Sequence, residues 1–509
     1  MARNRTSWHY LPPEIRNMIL HFLPILGGKC SQLVTVSKAW QLILEPLNFA
    51  EISLTVPRLT DPNSQAILFK KRNYIRYIWF RVELKQYDCT RCANTDQDRW
   101  GLDDIDNQFI ADGFESLFTI LSIWEPRGDL VLDISVYSSS DNQHWFKYLS
   151  FCSDTNTNLD ECPSRHGHEQ GTALINDPAH GWVAGQRVLA PTDHAIELTF
   201  DEIMAEGPFD DEEPEMQWWR SLPFVPVVGV VLLRQQTRRR WKPVALANML
   251  TRFPNMKELC YEPWREWGGR SSMELHTDKR NQTLIESFPC TKLDKLTIFE
   301  NFNEVYPQIH SRCFPTGLTT TTTIRTPNPA VSQKLAYASL HLTMLSASFM
   351  ADAGYFFASR QGSWTWDKLT LLALTSTALT NDADPLGINN MLQDAATTAL
   401  KMPRLNTMEL WNGRRGMAMV FRYQRAQDGQ PAIITVRGTW GFVLGIAVKQ
   451  AWDVVAHRHC QGKVVVQTSW IDPDAIRCHG DAIRQLGLST EVIRPVSLQQ
   501  ILSEDRLRA

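Results

Sequence analysis

At 509 residues the chain exceeds one comfortable hydrophobic core, so two or three domains are expected. It is 43% hydrophobic and 21% charged with a formal net charge of −3, which gives no general electrostatic reason for nucleic acid or an anionic membrane as the main partner. No apolar run reaches bilayer-spanning length, Arg3 and Arg5 are followed by no secretory-signal pattern, and ten cysteines are too sparse for a disulfide framework. The expected setting is therefore cytoplasmic and/or nuclear.

The chain opens with amphipathic helical signals. Leu11, Ile15, Met18, Ile19, Phe22 and Leu23 recur at offsets of three and four, the mark of one buried helical face. Pro12 and Pro13 suit a first turn, where a missing N–H has no intrahelical partner to lose. Pro24 and Gly27-Gly28 then stop the helix. Leu33, Val34 and Val36 mark a second short helix. Ser37 is the expected N-cap of a third, which presents Trp40, Ile43 and Leu44 before Pro46 ends it. Three helices in some forty residues bury too little surface to be secure alone, so the unit needs a partner in cis or in trans.

Leu11-Pro12, Glu14-Ile15, Ile19, Leu23-Pro24, Val36-Ser37-Lys38 and Trp40 resemble an F-box, in nearly the expected order and spacing. Gly27-Gly28-Lys29 departs from it, since F-boxes more often carry an acidic residue opening the second helix. The resemblance implies docking on a Skp-type adaptor, and through it on a cullin scaffold. Leu11, Pro12, Ile15, Ile19, Leu23, Leu33, Val36 and Trp40 would form the adaptor-binding set. The alternative is that this stretch merely caps a protein-binding scaffold unrelated to ubiquitination.

Strand signals follow at 51–56 and 74–84, a helical pattern at 109–124, and a strand at 130–136. Residues 138–181 are rich in Ser, Asp, Asn, His and Gly and read as a polar insertion. Residues 195–200 and 225–233 resume strands, separated by the acidic run Asp210-Asp211-Glu212-Glu213. An internal echo then begins. The segments 256–261, 293–298, 366–371 and 405–410 superimpose on one template with anchors Leu259, Leu296, Leu369 and Met408. The double-length middle gap holds Leu340 to Met344, a candidate missing strand displaced by the threonine-rich insert 319–323. Helical stretches at 245–253, 283–288 and 388–399 precede the strands. Helix, turn and strand at a repeating interval mark a solenoid, because each unit buries its face only against its neighbours.

This pattern resembles an irregular leucine-rich repeat array, although its period near forty exceeds the usual one. Beyond it, Met419–Tyr423 and Ala432–Val436 flank Gln427-Asp428-Gly429-Gln430, a hairpin signal. Helices at 444–457 and 473–486 enclose a strand at 464–466. The expected class is α/β: an F-box over 8–50, an irregular leucine-rich-repeat-like array over 51–415 and a small α/β cap over 416–509. That layout resembles uncharacterised F-box proteins of filamentous fungi.

Motifs for independent chemistry are missing. His168-Glu169 has Thr172 where a metalloprotease needs its second histidine, and no glycine-rich phosphate loop or nucleophile elbow occurs. The chain reads as a non-catalytic substrate receptor with no cofactor. Cys89-x-x-Cys92, with Cys152, Cys162, His166 and His168 downstream, offers a zinc alternative, but the second group is not a tight pair and no metal site is assigned. Arg238-Arg239-Arg240, with Arg234 and Lys242, reads as a nuclear-import signal, a contact for an acidic target, or a solvated helix start. Tryptophans followed by polar loops suit a target-binding surface, since aromatic and arginine residues dominate binding hot spots. Trp264, Arg265, Trp267, Trp411, Arg414 and Arg415 form that candidate set.

Overall fold

A computed structural model describes residues 8–23, 30–92, 102–154, 175–189, 191–204, 207–209, 211–265, 271–288, 291–304, 326–426 and 430–506. Pro24, Gly27-Gly28, Cys162, His166, His168, Trp267, the threonine-rich insert and the 427–429 hairpin tip lie outside the described residues.

Helix α1 spans Pro13–Phe22 with Pro13 at its first position, α2 is the single turn Cys30–Leu33, and α3 spans Lys38–Ala50. The Ser37 hydroxyl accepts the Trp40 N–H at 3.3 Å, as expected of an N-cap. Pro46 does not stop α3. Its missing N–H would have faced the carbonyl of Leu42, an exposed position where water can serve that oxygen, and the helix continues to Ala50. Leu44 is buried inside the turn before it, and Glu45 pairs with Lys71 on the helix Pro62–Lys71, which anchors the far end.

Strand formation follows the alternation of β-branched and aromatic residues. In chain order the strands are β1 (Glu51–Thr55), β2 (Tyr77–Leu84), β3 (Leu130–Ser138), β4 (Trp182–Val183), β5 (Gln186–Arg187), β6 (Glu202–Ile203), β7 (Val228–Leu233), β8 (Arg240–Trp241), β9 (Glu258–Tyr261), β10 (Lys295–Phe299), β11 (Met344–Ser348), β12 (Leu371–Thr375), β13 (Thr407–Arg414), β14 (Met417–Gln424), β15 (Ala432–Gly438) and β16 (Val464–Trp470). All but the four short strands β4, β5, β6 and β8 build one 12-stranded sheet, ordered as in the sequence. It is parallel from β1 to β13. The hairpin strand β14 pairs antiparallel with both neighbours, and β15 pairs parallel with β16.

One apolar residue from every strand lies on a single ladder across this sheet. Ile52, Ile78, Leu132 and Val231 pair in register, followed by Leu259, Leu296, Leu345, Leu372 and Met408, then Tyr423, Ile434 and Val466. The ladder residue for this repeat is thus Leu372, just beyond the 366–371 segment, and not Leu369, because Leu369 sits in the turn ahead of β12. The missing strand in the double gap exists, but it begins at Met344, since residues 339–341 form a 3-10 turn.

The ladder faces the helices. Those at Asp104–Ser122, Pro243–Leu250, Ser271–Ser287, Pro329–Ala338, Pro385–Ala399 and Ile446–Cys460 cover one side of the sheet, and its largest core lies between. At about 25 cal/mol per Å² of buried apolar surface, a continuous two-layer core of this kind supplies most of the folding free energy. Much of the opposite side is covered too, though it opens toward β16. Its strand residues join two further clusters, one around Trp79, Trp145, Trp182 and Trp264, the other around Phe299, Phe349, Trp411 and Ile501.

Three expectations change here. Residues 195–200 belong to the helix Asp193–Phe200, whose first turn is capped by the Thr192 hydroxyl accepting the Ala195 N–H at 3.2 Å. The stretch after β3 is polar in composition yet largely buried: Asp141, His144, Trp145 and Phe146 turn inward over the sheet. The C-terminal residues do not close an open end. Strands β14–β16 extend the sheet, and the helices His479–Leu486 and Pro495–Arg506 fold back across its second face.

Candidate functional site

The helical trio presents apolar surface to solvent. Leu20, Cys30 and Leu44 fill its interior, and the Trp8 and Trp40 rings meet at 5.2 Å between centroids. Outside that small core, Ile15 is 42% exposed, Met18 55%, Phe22 53% and Val36 58%, more than packing leaves on an ordinary amphipathic helix. Of the expected adaptor-binding set, Pro12, Ile15, Ile19 and Val36 are exposed, whereas Leu11, Leu23, Leu33 and Trp40 are half-buried within the trio. The first group offers contact area and the second holds the helices at their angles.

The candidate target-binding set is not brought together. Trp264 is buried under the Arg238 guanidinium and packs edge-on against Phe200 at 5.5 Å. Trp411 is fully buried and meets Phe349 at 5.3 Å. Arg265 is half-buried, with its backbone N–H donated to the Asn301 carbonyl. Arg414 lies 3.7 Å from Asp382, and the Arg415 N–H is donated to Glu304. The second face of the sheet, where these tryptophans point, is covered by the chain itself: around Trp264 by Trp145, Trp182 and Phe200, and around Trp411 by the C-terminal helices. No surface of this kind was readable from tryptophans next to polar loops, because those loops fold inward.

The basic run is likewise interior. Arg234 pairs with Asp133 at 2.6 Å, Arg239 with Asp141 at 2.6 Å, Lys242 with Glu215 at 2.8 Å and Arg238 with Glu504 at 3.1 Å, every partner buried. A nuclear-import receptor cannot reach these side chains in the folded chain. They work as internal counter-ions for carboxylates that desolvation would otherwise penalise.

The far edge of the sheet is open. Among the described residues no strand pairs beyond β16, and beside it a groove of about 1180 Å³ is lined by Trp440, Phe442, Leu444, Ile446, Val465 and Trp470 among others. Trp470, Val443 and Ile446 are exposed.

One further convergence is half-visible in the sequence. Cys89 and Cys92 meet His144 and His180 rather than Cys152, which instead lies against the Gln236 amide. Each Sγ lies 3.5–3.7 Å from a ring nitrogen of both histidines, and His144 Nδ1 is 3.1 Å from His180 Nε2. Burial, then the neighbouring Cys89, pushes the Cys92 thiol up to about 12, and burial holds the His144 imidazole below its ordinary value. The histidines follow Cys92 by 52 and 88 residues, a spacing that matches no compact ligand motif. Only the Cys-x-x-Cys half could be found by reading along the chain.

Residues 287–494 match the model of a family of unknown function, DUF6546. The matched part runs from the end of the helix before β10 to the linker ahead of Pro495, and includes neither the trio nor the cysteine–histidine cluster. No curated protein and no solved structure matches the chain.

Proposed function

We propose that this chain is the substrate-recognition subunit of a Skp–cullin–F-box ubiquitin ligase, docking the adaptor through α1–α3 and a target protein through the remainder. The observation that carries the reading is the cluster of exposed apolar side chains on the trio, Ile15, Met18, Ile19, Phe22 and Val36, on a unit whose sequence resembles an F-box. Such a patch is stable in water only if it is small or has a partner. The sequentially ordered parallel strands, whose connecting helices lie on one side, fit the leucine-rich-repeat-like part of the reading. The chain itself is non-catalytic in this scheme. It raises the effective concentration of a target lysine at the ligase, whose other subunits carry the ubiquitin.

With the second face of the sheet occupied, the target surface moves to the β16 edge. An extended segment of the target adds there as a further strand, with backbone hydrogen bonds giving affinity and the Trp470 groove receiving alternate side chains. Copurification of the full-length chain with a coexpressed Skp-type adaptor tests the first half. Capture is expected for the native chain and lost in Ile15→Asp/Ile19→Asp. Failure of the native chain to copurify, or unchanged capture by the double variant, leaves a scaffold outside ubiquitination.

A further inference from the structure

We propose that Cys89, Cys92, His144 and His180 bind one zinc ion in a closed, structural site. The four donors come from three separate segments. Cys89 and Cys92 occupy one helical turn, Cys89–Cys92; His144 lies in the buried turns after β3; and His180 ends the 3-10 turn Pro178–His180.

The distances are those of a coordination tetrahedron. With Zn–S near 2.3 Å and Zn–N near 2.0–2.1 Å, tetrahedral geometry places sulfur and nitrogen about 3.5 Å apart and two nitrogens about 3.3 Å apart. The sulfur–nitrogen separations here are 3.5–3.7 Å and the nitrogen pair stands at 3.1 Å. All four donor atoms fall within 4.8 Å of one another.

The tautomers give a second, independent argument. His144 Nε2 lies 3.2 Å from the Tyr87 carbonyl oxygen, a pure acceptor, so that nitrogen carries the hydrogen and Nδ1 presents a lone pair. His180 Nδ1 lies 2.7 Å from Asp177 Oδ2, so Nδ1 is the donor and Nε2 presents a lone pair. With both rings neutral, two imidazole lone pairs face each other at 3.1 Å, a repulsion that a shared cation relieves. These outer contacts are the usual means of orienting a metal-binding histidine. Asp177 is itself fixed by Lys147 at 2.7 Å, and the Tyr87 ring stacks on His144 at 5.2 Å.

Ligand type narrows the ion. Two thiolates and two imidazoles with no carboxylate in the set exclude calcium and magnesium, which require oxygen donors. Four protein ligands also leave no open position for a bound water, which makes the role structural. The ion would tie the chain after β2 to the loop after β3 and to the β4–β5 hairpin, holding Trp145 and Trp182 over the sheet. Cys89 is exposed and provides the route of entry.

Metal analysis of the purified full-length chain, without chelator, is expected to find about one zinc per chain. Cys89→Ser/Cys92→Ser and His144→Ala/His180→Ala are each expected to lose it, and Cys152→Ser to keep it. Because the double variants could fail to fold, cobalt exchange into the native chain reads the ligands directly. It is expected to give thiolate-to-cobalt charge transfer together with tetrahedral d–d bands. Zinc well below one per chain in the native protein, retention by both double variants, or an octahedral cobalt spectrum without charge transfer would each overturn the site.

Discussion

The Arg238 guanidinium carbon lies 3.5 Å from the centre of the Trp264 ring, and the same guanidinium reaches Glu504 in the C-terminal helix at 3.1 Å. A cation on an aromatic face, sealed from water, couples the middle of the sheet to the segment that covers it. Trp264→Ala is expected to cost about 3–5 kcal/mol, since it opens a cavity and strips the face on which Arg238 rests. Urea denaturation measures this. A change below about 1 kcal/mol would show that Trp264 is not the wedge described.

Glu409 holds the linker between the last two helices. Its carboxylate accepts the Ser489 N–H at 2.8 Å, the Ser489 hydroxyl at 2.9 Å and the Thr490 N–H at 3.0 Å, while Arg422 pairs with it at 2.5 Å. Removing one partner of a buried ionic group leaves the others uncompensated, typically a loss of about 3–5 kcal/mol. Glu409→Ala is expected to release this linker first, so limited proteolysis should cut between 487 and 495 at doses the native chain resists.

Gly229 marks a place where no side chain fits. The β3–β7 register slips there, from Leu130 opposite Val228 to Val131 opposite Val230, and an added Cβ would meet the Gly128 carbonyl oxygen at 2.1 Å. Gly128 has φ +67°, and both contacting atoms belong to backbone, so neither yields easily. Gly229→Ala is expected to cost about 1–3 kcal/mol, the range for overpacking, and to lower the thermal midpoint. An unchanged midpoint would mean the bulge can shift.

Asp453 fastens β16 to the helix behind it, accepting the Val464 N–H at 2.8 Å and the Lys449 ammonium at 2.8 Å. Burial alone would raise this carboxyl; Lys449 and the Val464 N–H outweigh it and hold it below its ordinary value of 3.8. A folded value below the unfolded one means the contact stabilises fully above the unfolded value and is lost as pH falls through the folded one. Both side chains are partly exposed, so the contribution stays below about 1 kcal/mol. Amide exchange at Val464, corrected for its intrinsic rate, should show greater protection in the native chain than in Asp453→Asn at neutral pH. That difference should vanish in acid; a difference independent of pH would contradict the assignment.

The trio predicts the opposite behaviour from Trp264. Ile15→Asp and Ile19→Asp alter exposed positions and are expected to change stability by less than about 0.5 kcal/mol. A large loss in thermal midpoint would place these residues in a core instead of on a docking face.

How much of this was readable depended on whether the determining contacts were local. The repeating strands were legible because period-two burial and the intervening helices repeat along the chain, and even the missing strand was found within a few residues. Leu369 was mistaken for Leu372 because both lie in one apolar run, and only pairing with Leu345 separates them. Trp264, Trp411 and Arg238 were misjudged for a different reason. Trp411 is covered by the C-terminal helices, Trp264 by the cluster of Trp145, Trp182 and Phe200, and Arg238 reaches Glu504; composition next to a residue says nothing about what folds onto it. His144 and His180 escaped notice for the same cause, while Cys89 and Cys92 announced themselves by spacing.

The segment His479 to Arg506 leaves the ribosome after every strand it covers. Until then Phe299, Phe349, Trp411 and Val420 have no lid, and the nascent sheet carries a wet apolar face that invites chaperones or a neighbouring chain. A chain stopped short of His479 would lack both covering helices and leave that face exposed.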